Sequence, residues 1–536
     1  MKKIFFIILV IISQLRGSAC TNFLITPGAT INGAAYIFYS NDGEYAPHFP
    51  VYLAEDYAAG TLVSIKKTYW SDESTKIEQS RHTNQTLSYL INEYQVAVGE
   101  TTFDGRKELL KTDGAIPYWT LMRLGLQRAK TAREFIKVVA ELLDKYGYAS
   151  TGESFSIADP KEVWYMELIG KGKGQKGAVW VALRVPDGYV AAHANHSRIR
   201  NFKFQKKNRW NDPKAKVFNS KDVVSFAIKK GYYDPKSGKK FSFSDAYDPA
   251  DAEKLRYTEM RVWEFFRRVA PSLHLKPDYA RGVKDARPYP LWVKPDKKLS
   301  LEDIMNLSRD YYEGTPFDMS KGLKAGPFGS PYRPRPLSFE IDGKKGVWGR
   351  SISTPNTAFA MIAELRANMP RFIGAVLWIG FDNTYTNVYI PVSAIVSHTP
   401  TQFNNTNYNK FSWSSLWWTF NFVGNYINLR YNAMIKDVKA KQNEIQKRFI
   451  ADRRQLEKRL MNINDKNKIV QISTQNAQKL TDTLANEWHE LANTLIVKYN
   501  DFYIRPAVNK WPRAVGYSKE WTREVIKSDS TLLLPD

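Results

Sequence analysis

One cysteine, Cys20, is the only thiol among 536 residues, and it stands directly after Gly17-Ser18-Ala19, where an apolar leader ends. If the chain is cut between Ala19 and Cys20, the thiol becomes part of the first residue and lies within reach of its own free α-amine. That pair is a nucleophile with a built-in base, because the amine can take the proton that the sulfur loses. With an ordinary pKa of ~8, the amine is partly neutral at pH 7. Asp42, at the end of the second predicted strand, puts a carboxylate near the thiol.

Residues 1–19 read as a secretory leader: Lys2 and Lys3, the apolar run from Ile4 to Ile12, then small Gly17 and Ala19 at the cleavage positions. The run is shorter than the ~20 residues a bilayer span needs. The protein is therefore expected to be exported, to the periplasm or the medium. A cysteine after a leader is also the residue that bacterial lipoproteins acylate, with an aliphatic residue usually three positions before it; this chain has Gly17 there. An acylated amine could not act as a base, so the two readings exclude each other.

Other chemistries find less support. Of the 7 histidines, the one close pair is His193 and His196, which lacks the helical two-histidine spacing with a glutamate of zinc proteases, so no metal is expected. Gly170-Lys171-Gly172-Lys173-Gly174 lacks the Lys-Ser/Thr ending of a phosphate loop and reads as a hairpin loop. A Gly-x-Ser-x-Gly nucleophile elbow is absent. No cofactor is expected.

The formal charge of +24 falls to +21 once Lys2, Lys3 and Arg16 are removed. The charges alternate in sign, as in Lys436-Asp437-Val438-Lys439, without a basic block of the kind that binds nucleic acid. The bias is consistent with weak association with an anionic envelope. With 14% aromatic residues and 15 Trp the chain is well packed rather than disordered. One cysteine permits no internal disulfide, so a core must carry stability.

To position the thiol, the sequence predicts a strand from Thr21 to Thr26 and another from Ala34 to Tyr39, joined through Asn32-Gly33. Two short β segments flank Asn92-Glu93 and end in Glu100-Thr101-Thr102. Helices follow over Ile116 to Ala129 and Thr131 to Tyr146, with Thr131 as N-cap before Glu134. Strands at Ser154–Pro160, Val163–Ile169, Val179–Val185 and Tyr189–Asn195 then describe an antiparallel meander. A helix is expected around Tyr257 to Val269, and late strands at Ser351–Ser353, Ala358–Leu365, Ala375–Ile379 and Thr386–Ile390. Strands, helices, then more strands imply an α+β layered fold. Residues 20–405 are assigned to one domain, and 406–536 to a C-terminal extension whose Tyr431–Leu460 and Ser473–Asn500 form a helical hairpin packed on it.

Several stretches together resemble the C69 dipeptidase family. They are Ala19-Cys20-Thr21-Asn22-Phe23, the run from Asn92 to Phe103, Ile157-Ala158-Asp159-Pro160, the run from Ala192 to Ile199, Arg309-Asp310-Tyr311-Tyr312-Glu313-Gly314-Thr315 and Leu429-Arg430-Tyr431. The resemblance implies an N-terminal nucleophile hydrolase with a four-layer αββα sandwich that cleaves dipeptides once Cys20 is exposed. It implies Cys20 as nucleophile, Asp42 holding its amine and Asn195 stabilising the oxyanion. Thr102 falls near the second oxyanion position, and Arg261 matches a late active-site arginine. Many members carry Arg three residues before that Asp; here the residue is Tyr39, so a cation that would favour the thiolate is lost. Charge suggests Glu100, with Thr101 beside it, for a dipeptide's amino terminus and Arg198 for its carboxylate. Two other functions stay open: an N-acyl amidase of the penicillin V acylase type, and a lipid-anchored binding protein without catalysis. Self-association into a homo-oligomer also stays open.

Overall fold

The computed structural model describes residues 19–43, 45–66, 73–110, 112–506 and 511–534. The expected leader, apart from Ala19, lies outside the described residues. The protein is mixed α and β, built on two large antiparallel sheets. β1 (Thr21–Ile25) and β2 (Ala35–Asp42) lie at the centre of the first sheet, in the order Trp292–Val293, Val190–His193, β1, β2, Thr357–Leu365, Ala375–Phe381, Ile390–Ser393. The second runs Val217–Asn219, Ala178–Arg184, Val163–Gly170, Gly152–Ala158, Ala97–Phe103, Ile91–Asn92, Thr86–Leu87, Val51–Tyr52.

Alternation along each strand decides what each face touches. Phe23 lies opposite Phe38, and Leu24 opposite Ile37. Phe23 and Phe38 stack at 4.7 Å, and Phe23 stacks on Phe265 of the Ala252–Val269 helix at 4.1 Å. Leu24, Ile37 and Tyr39 on the other face join a cluster with Ala97, Tyr165, Ile169 and Val181 of the second sheet. The far face of that second sheet, with Val98, Phe155, Ile157 and Trp164, packs on Leu121, Leu124, Phe135 and Val139 of α1 (Tyr118–Arg128) and α2 (Ala132–Tyr146). Thr131 caps α2: its hydroxyl accepts from Glu134 N at 3.2 Å, and the Glu134 carboxylate accepts from Lys130 N at 2.7 Å.

Three expected strands are corrected. Val190–His193 is not the fourth strand of the meander; it crosses to the first sheet and pairs with β1, His193 lying opposite Asn22. The Pro186-Asp187-Gly188 corner is tied there, since Gly28 N donates to Asp187 Oδ1 at 2.7 Å and Gly188 N to Thr26 Oγ1 at 2.9 Å. Val217–Asn219 takes the vacated edge beside Ala178–Arg184. Ser351–Ser353 forms no strand, because the Arg350 guanidinium takes the carbonyls of Ser351 and Ile352 that a ladder would use. The last strand begins only at Ile390, after a turn in which Thr386 N and Asn387 N both donate to Asn383 O.

The tail helices run from Tyr431 to Leu460 and from Lys466 to Lys498, the second starting earlier than its apolar spacing suggests because Asp465 caps it. Val438, Ile445, Phe449, Leu484 and Trp488 share a cluster with Ile390 and Val392. Gln446 bonds both backbone groups of Tyr389, accepting from its N–H at 2.9 Å and donating to its carbonyl at 3.1 Å.

Candidate active site

Cys20 precedes β1 and is fully buried. Its thiol donates to Glu100 Oε1 at 3.5 Å. Burial pushes the thiol pKa well above its ordinary value, with Glu100, Asp42 and Glu153 pushing the same way; a hydrogen bond from the Asp42 backbone N–H opposes them. The resting group is thus a neutral thiol that needs a base.

The backbone around Cys20 is held from two sides. Arg261, on the Ala252–Val269 helix, donates through Nη1 to Cys20 O at 2.7 Å and to Thr21 Oγ1 at 2.9 Å. Its Nη2 donates to Ala194 O at 3.1 Å and Asn195 Oδ1 at 3.0 Å. Burial, with Arg350 nearby, lowers the Arg261 pKa to about 10, which still leaves it charged at neutral pH. Asn195 Oδ1 also accepts from Cys20 N at 3.0 Å, and Nδ2 donates to Thr102 O at 2.6 Å. Asn195 has φ 60°, a left-handed conformation that asparagine tolerates better than most residues and that recurs at functional positions.

The Asp42 carboxylate is bonded to Arg350 and accepts from Thr357 Oγ1 at 2.7 Å. Burial raises its pKa, and Arg350 and Thr357 hold it back. Arg350 Nη2 also reaches Ala19 O at 3.5 Å. While Ala19 and Cys20 are joined, the acceptor for Cys20 N is therefore Asn195, and Asp42 acts on Arg350.

Glu100 reaches the sulfur because the edge of Ala97–Phe103 is open there: Ile91–Asn92 pairs with it only at Ala97. The Asn22 amide fills the gap in the ladder, accepting from Glu100 N at 3.1 Å and donating to Glu100 O at 3.0 Å. Tyr39, at the position of the resemblance's usual arginine, donates its hydroxyl to Glu100 Oε1 at 2.6 Å and accepts from Asn41 Nδ2. It is a neutral donor to the carboxylate.

Two expected site residues are not brought to the thiol. Thr101 points to the opposite face, where its hydroxyl meets His193 Nδ1 at 2.7 Å. Arg198 pairs with Glu259 at 3.1 Å and donates to Ala192 O and Pro290 O, which corrects the expectation that it holds a substrate carboxylate. Cys20, Asp42, Asn195, Thr102, Arg261 and Glu100 do converge. Arg350, Thr357 and Glu153 join them without any local motif that marks them in the sequence. Asn22, two residues after the thiol in the stretch that carries the resemblance, joins them too. Among the described residues, no group of three or more His, Cys, Asp or Glu side chains is arranged to hold a metal ion.

A "Probable dipeptidase" of Salmonella dublin is 26% identical over 414 residues, 73% of this chain and 84% of the relative. A "Probable dipeptidase" of Latilactobacillus sakei is 25% identical over 391 residues, 69% and 72% of the two chains. "Probable dipeptidase B" of Streptococcus pyogenes serotype M1 is 26% identical over 439 residues, 76% and 78%. The model of Peptidase family C69 matches residues 19–444, starting at the residue before Cys20. On that match, which covers most of the chain and every residue converging on the thiol, the protein belongs to peptidase family C69.

Proposed function

We propose that the protein is an exported cysteine dipeptidase that works as an N-terminal nucleophile hydrolase once residues 1–19 are removed. The observation that carries this reading is the placement of the single thiol: Cys20 immediately precedes β1, with Asn195 and Arg261 on its backbone and Glu100 on its sulfur. The relatives' names supply the substrate class. The four-layer αββα reading is supported by the apolar clusters. One joins the two sheets, one joins the first sheet to the Ala252–Val269 helix, and one joins the second sheet to α1 and α2.

In this mechanism the freed α-amine takes the thiol proton, and the thiolate attacks the scissile carbonyl carbon. The oxyanion is met by an N–H of Asn195 Nδ2, whose other hydrogen goes to Thr102 O, and by a backbone N–H near Thr102. The protonated amine then gives its proton to the leaving amino group as the C–N bond breaks, leaving a thioester on Cys20. Water attacks the thioester, the amine takes the water's proton and returns it to the sulfur, and the first amino acid departs. Asp42 and Arg350 fix the backbone on which the amine sits, and Glu100 receives the substrate's amino terminus. In secreted, processed protein, Cys20→Ala is expected to reduce dipeptide hydrolysis to background; undiminished hydrolysis would overturn the reading.

A further inference from the structure

Glu153 is a second buried carboxyl beside Glu100. In the register of the second sheet Glu153 lies opposite Thr102, which makes Glu100 its diagonal neighbour on the same face. Both are fully buried. Glu153 Oε1 accepts from Thr102 Oγ1 at 2.9 Å and from Thr151 Oγ1 at 3.2 Å, but its Oε2 meets no donor among the described residues. A buried carboxylate oxygen without a donor is costly, and two ionised carboxylates side by side repel. Both costs vanish if Glu153 is a carboxylic acid whose O–H donates to Glu100; the two carboxyls already meet at the Thr102 hydroxyl, 2.9 Å from Glu153 Oε1 and 3.5 Å from Glu100 Oε2. Glu100 is the acceptor of the pair, since it also receives the Tyr39 hydroxyl and the Cys20 thiol.

The surroundings leave that single charge unbalanced. The groups facing the pair are Tyr39 and Cys20 from the first sheet, Thr102 and Thr151 beside it, Tyr118 from α1, and Tyr148 after α2. Among the described residues no lysine or arginine donates to either carboxyl. Apart from the Cys20 α-amine that cleavage frees, which Asn195 already binds, a cation for this charge has to be brought by the substrate. The α-nitrogen of a dipeptide lies two bonds from the carbonyl carbon that the sulfur attacks, and Glu100 Oε1 lies 3.5 Å from that sulfur.

We propose that Glu100 and Glu153 hold one proton between them, and that the resulting single negative charge is the receptor for the α-ammonium of the residue on the acyl side of the scissile bond. This deepens the dipeptidase reading and rests on Cys20 as nucleophile. Glu100 is the contact residue and Glu153 the positioning residue, which keeps the pair singly charged across the working pH range. An N-acylated substrate brings no cation and leaves the buried charge unpaired, so it is rejected.

The test uses mature protein with two readouts. The first is kcat/KM against pH for Ala-Ala and N-acetyl-Ala-Ala. The acetylated substrate is expected to be slower by roughly 10²-fold or more. Glu100→Gln removes most of that discrimination. Glu153→Gln, whose amide donates to Glu100 as the protonated acid does, keeps the discrimination, and Glu153→Leu, which cannot donate, reduces it. Loss of discrimination in Glu153→Gln overturns the shared proton, since an ionised Glu153 would be an acceptor there, and equal rates on the two substrates overturn the receptor. The second readout needs neither turnover nor a variant: alkylation of Cys20 by iodoacetamide, unambiguous because it is the only cysteine. Alaninamide should slow alkylation and N-acetylalaninamide should not; equal effects overturn the receptor. Protection by alaninamide in a protein that hydrolyses no dipeptide would uphold the receptor and sink the dipeptidase reading instead.

Discussion

Asn195 Oδ1 accepts the backbone N–H of Cys20 at 3.0 Å, tying the residue before β1 to the turn that follows the neighbouring Val190–His193 strand. The same amide reaches across to the second sheet through Thr102 O at 2.6 Å. In the proposed mechanism one side chain thus holds the nucleophile's nitrogen and supplies an oxyanion donor, while it bridges the two sheets at this point. Asn195→Ala removes all three, and kcat is expected to fall by ~10²–10³ as for other lost oxyanion donors. Steady-state kinetics on a dipeptide checks this; a change confined to KM would count against the oxyanion role.

Arg350 and Asp42 form a fully buried ion pair next to Ala19. Removing one partner leaves the other charged and unpaired, which typically costs about 3–5 kcal/mol. Arg350→Met should therefore lower the unfolding free energy by an amount of that order in urea titration. Asp42→Asn, which keeps a hydrogen-bonding side chain against Thr357, should cost less.

His193 lies between the sheets, stacked on Tyr165 at 4.8 Å, with Ser156 Oγ 2.8 Å from Nε2 and Thr101 Oγ1 2.7 Å from Nδ1. Ser156 donates to Asn22 Oδ1 at 2.9 Å, so it accepts from Nε2–H, and Nδ1 accepts from Thr101. The ring is neutral: burial first, then Arg198, lowers its pKa well below 6.5. The unfolded chain therefore binds this proton more readily than the folded one. The contribution of His193 to stability is complete above pH ~6.5 and is lost as pH falls from there toward the folded pKa, by at most about 1.4 kcal/mol per pH unit. Urea unfolding between pH 5 and 7 should show a shallower slope in His193→Gln than in the parent; parallel slopes would contradict the neutral bridge.

Thr131 tests how much of the scaffold rests on local signals. Thr131→Ala removes the α2 cap and should cost about 1 kcal/mol of stability. Since α2 packs on the far face of the second sheet, kcat/KM should stay at the parent value.

What could be read from the chain was local. Cys20 is conspicuous because it is unique and follows an apolar stretch with small residues at its end, and α2 because Thr131 and Glu134 cap a segment buried at Phe135, Ile136, Val139 and Leu143. Both tail helices were visible in their spacing. What escaped depends on register and on distant returns of the chain. Glu153 matters only because the Gly152–Ala158 strand sets it opposite Thr102, and Arg350 because its loop comes back to Asp42 from 308 positions away. Arg198 sits three residues beyond Asn195, yet the chain has already turned, and its guanidinium meets Glu259. Val190–His193 has the pattern of a meander strand; the contacts of Asp187 and Thr26 carry it to the other sheet.

The central claim is that Cys20 acts as an unmodified N-terminal nucleophile. Its most direct test is mass analysis of the N-terminal peptide from secreted protein quenched during turnover of an alanine ester. The account predicts a peptide that begins at Cys20 and carries one alanyl group on that cysteine. A peptide that begins upstream of Cys20, or one whose cysteine bears a diacylglyceryl group, would contradict it.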